Sequence, residues 1–276
     1  MTRRLTRRRF LLGAAGVTAA ALVEGVGLGP RRLSVSTHIV GTPRTDRPAV
    51  RIAQLSDLHL KGIEGIHVEA ADVLAEWGAD LVIMSGDAID RDDAIPVLED
   101  FLTLLPDGPV RVASLGNWEH WSGVSLPDLE AAYRAFDCTL LVNQGLDVDV
   151  GEHAVRVYGL DDWLAGEADL ARATEGDPLD ASSLVISHCP AWRDEPEARE
   201  EEPGLVLSGH THGGQVALGR WAPLLPPGSG GYVSGWYRES GPPTYVSRGL
   251  GTSVIPVRLG CTPELALFEW HPDSSS

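Results

Sequence analysis

Residues 50–90 read VRIAQLSDLHLKGIEGIHVEAADVLAEWGADLVIMSGDAID. Two short apolar runs, from Val50 to Leu55 and from Leu81 to Met84, have the length and aliphatic composition of buried strands. Between them, from His67 to Trp77, the residues Val68, Ala71, Val73, Leu74 and Trp77 recur at helical spacing and offer one apolar face. Strand, helix, strand is the unit from which a layered α/β domain is built. Both strands end in groups able to do chemistry: Ser56-Asp57-Leu58-His59 after the first, and Ser85-Gly86-Asp87-Ala88-Ile89-Asp90 after the second.

The unit occurs again. A helix is expected from Asp93 to Leu105, then a strand from Val110 to Leu115 that ends in Gly116-Asn117-Trp118-Glu119-His120. Ligands in open α/β sheets bind beyond the carboxyl ends of strands, so three such ends can aim polar groups at one crevice. Further along, Leu126 to Phe136 reads as a helix. Strands are expected at Leu140 to Val142, at Val155 to Leu160 before Asp161-Asp162, and at Leu184 to Ser187 before His188-Cys189-Pro190. Leu205 to Leu207 is another, followed by Ser208-Gly209-His210-Thr211-His212-Gly213-Gly214. Two imidazoles two residues apart between glycines could hold one ion or serve two neighbouring ones. The charge-rich Arg193 to Pro203 reads as a solvated helix or loop, and Trp221 to Pro243 as a long surface loop over the site. Thr244 to Ser247 and Leu265 to Trp270 read as closing strands.

In chain order the strand ends supply Asp57, His59, Asp87, Asn117, His188, His210 and His212. Their contexts, Asp-x-His, Gly-Asp-x-x-Asp, Gly-Asn, a lone His and Gly-His-x-His, resemble the calcineurin-like metallophosphoesterase family over roughly residues 50 to 270. Within it, Ser56 to Leu60, Gly209 to Gln215, Tyr245 to Gly251 and Pro263-Glu264 are similar to the exported bacterial phosphodiesterase branch.

The resemblance implies a two-sheet β-sandwich flanked by helices, in four α/β/β/α layers. It implies one divalent ion on Asp57, His59, Asp87 and His212, and a second on Asp87, Asn117, His188 and His210, with Asp87 between them. Carboxylate, amide and imidazole donors together suit Mn, Fe or Zn. The implied chemistry is in-line attack on phosphorus by a hydroxide bridging the ions. Where the family carries a general-acid histidine after Gly-Asn, this chain has Trp118; the family's orienting carboxylate corresponds to Asp90. An indole N–H can donate a hydrogen bond but delivers no proton at neutral pH. His120, two residues on, is the candidate replacement acid. Arg248, Asp162 and Trp118 are candidate substrate contacts, Arg248 through its paired donors. The alternative reading is a binding protein that kept its metal ligands and lost turnover with the acid.

Composition narrows the partners. The formal charge is −17, which argues against nucleic acid but not against a phosphate substrate once cations reverse the local field. Residues 1–29 oppose the trend, with five arginines against Glu24. Thr6-Arg7-Arg8-Arg9-Phe10-Leu11 and the small-residue apolar run after it have the character of a twin-arginine leader, with Ala19-Ala20-Ala21 a candidate cleavage site. The expectation is therefore export by the twin-arginine machinery to an extracytoplasmic, cell-wall or membrane-associated location, with a membrane anchor if the segment is retained. The implied substrate is a phosphate-containing small molecule or lipid. The expected division is a leader over 1–30 outside the fold, a strand and linker over 31–48, the catalytic domain over 49–271 and a tail over 272–276. Cys138, Cys189 and Cys261, odd in number and far apart, are expected to be buried thiols.

Overall fold

The computed structural model describes residues 22–219 and 221–272. The arginine-rich stretch and Ala19-Ala20-Ala21 lie outside the described residues. Among the described residues, twelve strands and six α-helices follow one another as β1 (Ser34–Val40), β2 (Val50–Leu55), α1 (Gly65–Trp77), β3 (Leu81–Ser85), α2 (Ile95–Leu102), β4 (Val110–Ser114), α3 (Asn117–Ser122), α4 (Leu126–Arg134), β5 (Cys138–Leu141), β6 (Gln144–Val150), β7 (His153–Gly159), α5 (Leu170–Thr174), β8 (Ser183–Ile186), α6 (Pro196–Glu200), β9 (Leu205–Ser208), β10 (Gly235–Tyr237), β11 (Thr244–Val246) and β12 (Glu264–Trp270).

They form two six-stranded sheets, ordered β1-β12-β2-β3-β4-β5 and β10-β11-β9-β8-β7-β6. The centre of each is parallel, β2 through β5 in one and β7 through β9 with β11 in the other; β12 and the strands β6 and β10 supply the antiparallel pairings. Strand alternation sorts the side chains into layers. Ile52, Leu81, Ile83, Val112 and Phe268 from the first sheet meet Val157, Leu184, Ile186, Leu205 and Leu207 from the second in the inner core. On the outer face of the first sheet Ala53, Leu55, Val82, Met84 and Ala113 pack against Leu74, Leu98, Phe101 and Leu129 of α1, α2 and α4. Tyr158, Val185 and Val206 cover the second sheet's outer face with Leu170, Trp192 and Ala198. The four layers expected are present.

Several local expectations differ. Residues 23–30, expected in a leader outside the fold, make with Arg31 a π-helical turn (Val23–Leu28) and a 3₁₀ turn (Gly29–Arg31). Gly25 and Gly29 are buried there: Arg258 N donates to Gly25 O at 2.8 Å, and a Cβ on Gly29 would collide with the Arg258 carbonyl. Arg193, expected to be solvated, is buried; its guanidinium holds the Thr244 hydroxyl, the Tyr232 hydroxyl and the carbonyls of Glu239 and Pro242. That anchoring makes part of the expected loop, Gly235–Tyr237, an edge strand. The polar β6, whose alternating Asp147 and Asp149 gave no apolar run, pairs with β7 along its whole length. The three thiols are buried and free, as expected.

Candidate metal centre

Five strand ends converge at the open edge between the sheets: β2, β3 and β4 from one, β8 and β9 from the other. Asp57, His59 and His212 have ligating atoms within 4.8 Å of one another, and so do Asp87, His188 and His210; all six are buried. Asp87 Oδ2 lies 3.1 Å from His188 Nε2 and 3.7 Å from His59 Nε2, so its carboxylate stands between the groups. His59 Nε2 and His212 Nε2 are 2.9 Å apart, and Asn117 Oδ1 is 2.8 Å from His210 Nδ1. Asp57, His59 and His212 thus form one group and Asp87, His188 and His210 the other, with Asn117 beside His210.

Reaching this geometry strains the backbone. Asp57, His59, Asp87, His210 and His212 all have positive φ, between 45° and 70°. Non-glycine residues rarely occupy this region, and strain of that kind concentrates at functional sites. Glycine removes a clash at Gly116, where a Cβ would run into the Asp87 carboxylate.

The second nitrogen of each imidazole is also held. His188 Nδ1 donates to Ser85 O at 2.7 Å and His210 Nε2 to Pro227 O at 2.6 Å, while His59 Nδ1 meets the Asp90 carboxylate and His212 Nδ1 lies 3.2 Å from Arg258 Nη2. Such outer contacts aim the remaining nitrogen of each ring at an ion. The donor set passes a direct test of fit: His188 Nε2 is buried without a hydrogen bond of good geometry, an arrangement that a ligating cation would satisfy.

Charge in the cluster is divided. Burial lowers His210 and His212, and the neighbouring imidazoles and Arg258 add to this, so both stay neutral as ligands must. Burial opposes charge on His59 and His188 too, but Asp90 and Asp87 overcome it and raise both. Asp87 is held down at about 2, burial being outweighed by His188 and His59. Metal binding must therefore displace protons. Adding Mn²⁺ at neutral pH to metal-stripped protein in weak buffer should acidify the solution, read with an indicator dye; uptake without proton release would contradict this charge assignment.

The remaining predicted site residues are placed differently. Asp90 pairs with His59 and, at 3.6 Å, with Lys61 Nζ, so it positions a ligand rather than an acid at position 118. His120 Nε2 is 2.6 Å from Asp161 Oδ1 and is raised chiefly by that hydrogen bond; it does not line the cleft over the metal groups. Arg248 is committed to Glu264, Thr262 O and Ser34 Oγ. Asp162 is fully buried, taking the N–H groups of Leu164 and Ala165 and the Cys189 thiol. Of these candidates Trp118 alone faces the cleft, an opening of about 380 Å³ shared with Asp87, Asn117, His210 and His212 and walled by Trp121, Leu224, Leu225 and Pro227.

Two important residues escaped the sequence reading. Arg258 is a fully buried guanidinium that ties His212 O, Arg248 O and Gly249 O together behind the ligands. Glu119 is buried and accepts four backbone N–H groups, from Gly116, Asp87, Ala88 and Ile89, at 2.7 to 3.2 Å. Burial first, and then the charge of Asp87, push its carboxyl up to about 7 against those donors. A glutamate at the third position of a helix beginning at Asn117 was the available signal, since it reaches back to the uncapped turn. Glu119→Gln replaces acceptor by donor on one side, leaving N–H groups of the Asp87 loop unpaired. The expected loss is about 3 kcal/mol, a fall of roughly 6 to 12 °C in the thermal midpoint. An unchanged midpoint by calorimetry would refute this role.

The chain is 29% identical to the uncharacterized metallophosphoesterase YkuE of Bacillus subtilis (strain 168), over 96% of this chain and 98% of that protein. It is 27% identical to the phosphodiesterase YaeI of Escherichia coli (strain K12), over 96% and 99%. Among solved structures, the 5'-nucleotidase precursor of Thermus thermophilus is similar, with 18% identity and a TM-score of 0.47 over 74% of this chain and 49% of that one. The model of the calcineurin-like phosphoesterase family matches residues 50–214, the span that holds all seven candidate ligands, and the chain belongs to that family of metal-dependent phosphoric ester hydrolases.

Proposed function

We propose that the chain is an exported, dinuclear phosphoesterase that cleaves phosphodiester or pyrophosphate bonds whose leaving groups need little protonation. The observation that carries this reading is the cleft itself: two triads, one of them containing Asp87, stand side by side, and the side chain presented beside them is the Trp118 indole where an acid would be expected. Two divalent ions held there, Mn, Fe or Zn, would activate water and draw charge from the phosphoryl oxygens. The protein's own contribution is positional. Asp90, Ser85 O and Pro227 O aim three imidazoles, Asp87 lies between the two sets, and the backbone N–H of Trp118 fixes Asp87 Oδ1 at 2.9 Å.

No imidazole in the cleft is free to protonate a departing alkoxide: His59, His188, His210 and His212 are ligands in this reading, and His120 is turned to Asp161. Aryl oxide and phosphate leave as stable anions and need an acid least. The name of the relative YaeI supports a diester as the bond class. Export rests on the arginine-rich N-terminal composition; among the described residues no helix is long and apolar enough to cross a membrane. The natural substrate in this reading is an envelope lipid or a nucleotide-sugar type compound.

The test is a substrate panel. Full-length protein loaded with Mn²⁺, Fe²⁺ or Zn²⁺ is assayed on bis-p-nitrophenyl phosphate, a nucleotide-sugar pyrophosphate and a dialkyl phosphate. The first two should turn over at least about 10²-fold faster, relative to their uncatalysed rates, than the third. Equal acceleration of all three would remove the leaving-group argument, and turnover of none, with metal bound, would remove the hydrolytic assignment.

A further inference from the structure

We propose that the apolar rim of the metal cleft is a docking face for an anionic lipid bilayer. Trp121, Leu218, Trp221, Leu224, Val254 and Ile255 are all exposed large hydrophobic side chains; Leu218 is 79% exposed and Val254 81%. Single exposed apolar residues are ordinary, but a contiguous group around one opening marks an interaction face. Trp121, Leu224 and Val254 line the cleft directly. Leu218 and Trp221 are the closing pair of a tight turn, their backbones joined at 2.9 and 3.2 Å. That turn is stitched to the Val257–Leu259 segment by Ala217 N to Leu259 O at 2.9 Å.

The N-terminal segment also presents apolar side chains. Gly25 faces Val257 and Leu259, and Leu22, Val23, Val26 and Leu28 are exposed. From there towards the N-terminus the sequence carries no charge between Phe10 and Val23, and five arginines precede it.

The chemistry of the rim favours a lipid surface over a protein partner. Residues 215–227 contain one charged residue, Arg220, and residues 253–257 none, in a chain of net charge −17. A protein interface has an apolar centre and a polar, hydrogen-bonding rim; here the exposed side chains of Leu218, Trp221, Val254 and Ile255 are apolar. Indole rings settle at membrane interfaces, where one edge is wet and the rest apolar, and two exposed tryptophans stand at this opening. The only charge in the two loops, like the arginines before Phe10, has the sign that anionic head groups attract. Docking stands on the rim alone. That it would present a membrane-borne phosphoester to the ligands rests on the hydrolase reading above.

The test uses the full chain and vesicles of phosphatidylethanolamine with phosphatidylglycerol. The variant Leu218→Ser, Trp221→Ser, Ile255→Ser alters exposed rim residues that neither line the cleft nor touch the ligands. Its partition onto vesicles in a sedimentation assay should fall about tenfold, while hydrolysis of soluble bis-p-nitrophenyl phosphate stays within about twofold of wild type. Brominated acyl chains should quench the wild-type fluorescence more than that of Trp221→Phe. Equal partition of variant and wild type would overturn the proposal by assigning binding to the N-terminal stretch. A concentration-dependent dimer in wild type, lost in the variant and with no vesicle binding, would overturn it in favour of a self-interface. Partition is measured without substrate, so rim-dependent binding by a protein without turnover would sink the hydrolase reading alone, and turnover without rim-dependent binding would sink only this one.

Discussion

Replacing Asp87 with asparagine is expected to lower hydrolysis of bis-p-nitrophenyl phosphate by at least about 10³-fold, the largest loss expected from any single conservative change in this chain. The carboxylate does two things that an amide cannot. Its Oδ2 stands 3.1 Å from His188 Nε2 and 3.7 Å from His59 Nε2, between the two ligand sets, while Oδ1 accepts the Trp118 N–H at 2.9 Å. An amide offers one oxygen, so its nitrogen must face either the imidazoles or the Trp118 N–H, and neither accepts it well. The negative charge that would offset repulsion between two cations is also lost. An interaction worth about 4 kcal/mol in the transition state corresponds to three decades of rate. Metal content separates this from a folding defect: the variant should keep its circular dichroism spectrum and lose at least one bound ion. A variant that binds two ions and keeps more than about a tenth of the activity would show that Asp87 is not the shared ligand.

The strand ends carried most of the legible information. Leu81–Met84 is a continuous apolar run and Val50–Leu55 and Val110–Leu115 are mostly apolar because their strands are largely buried on both faces, so their limits and the polar residues beyond them could be read directly. What escaped reading depends on partners distant in sequence. Nothing near Asp90 says that it will meet His59, whereas parallel pairing of β2 with β3 puts the two loops side by side. Arg258 lies in an apolar run and gives no local sign that it will be buried behind His212; that follows only when the 257–259 segment is clamped between residues 25 and 217. Gly25 and Gly29 read as leader residues because small apolar composition is shared by export signals and by close backbone packing. β6 was missed for a third reason: an edge strand with one solvated face needs no apolar run.

The His120–Asp161 pair illustrates a histidine near the centre that is better explained by structure. Asp161 raises His120, and His120 in turn holds Asp161 low against its burial. A raised histidine contributes stability below its unfolded value of 6.5 and loses it as pH rises through the folded value; a lowered aspartate contributes above 3.8. The pair thus stabilises between those limits, at a partly solvated position where ion pairs contribute little. It neither reaches the cleft nor supplies an acid to it.

That leaves position 118 as the place where catalysis can be gained. Trp118→His is expected to accelerate cleavage of dialkyl phosphates by about 10²-fold, the lower part of the range for a positioned general acid, and to change aryl diesters by less than about threefold. The backbone is already in place. Trp118 opens the helix α3 beside Asn117, its N–H is held by Asp87, and its ring lines the cleft, edge-on to His59 at 6.1 Å and to Trp121 at 5.7 Å between centroids. An imidazole is smaller than the indole it replaces and would reach the same opening with a transferable proton. The lower part of the range is expected because Asp90 is already engaged by His59, so the new imidazole has no carboxylate to orient it or raise its pKa. The gain should therefore carry a signature in pH. An acid must be protonated to act, so the added alkyl-ester rate should decline as pH rises through about 6.5, a limb that wild type should lack. Trp118→Phe removes the indole without adding a proton donor and should gain nothing. If Trp118→Phe accelerates alkyl esters as much as Trp118→His does, or if the histidine variant gains equally on aryl and alkyl esters at every pH, the indole is limiting access to the cleft and the leaving group never lacked an acid.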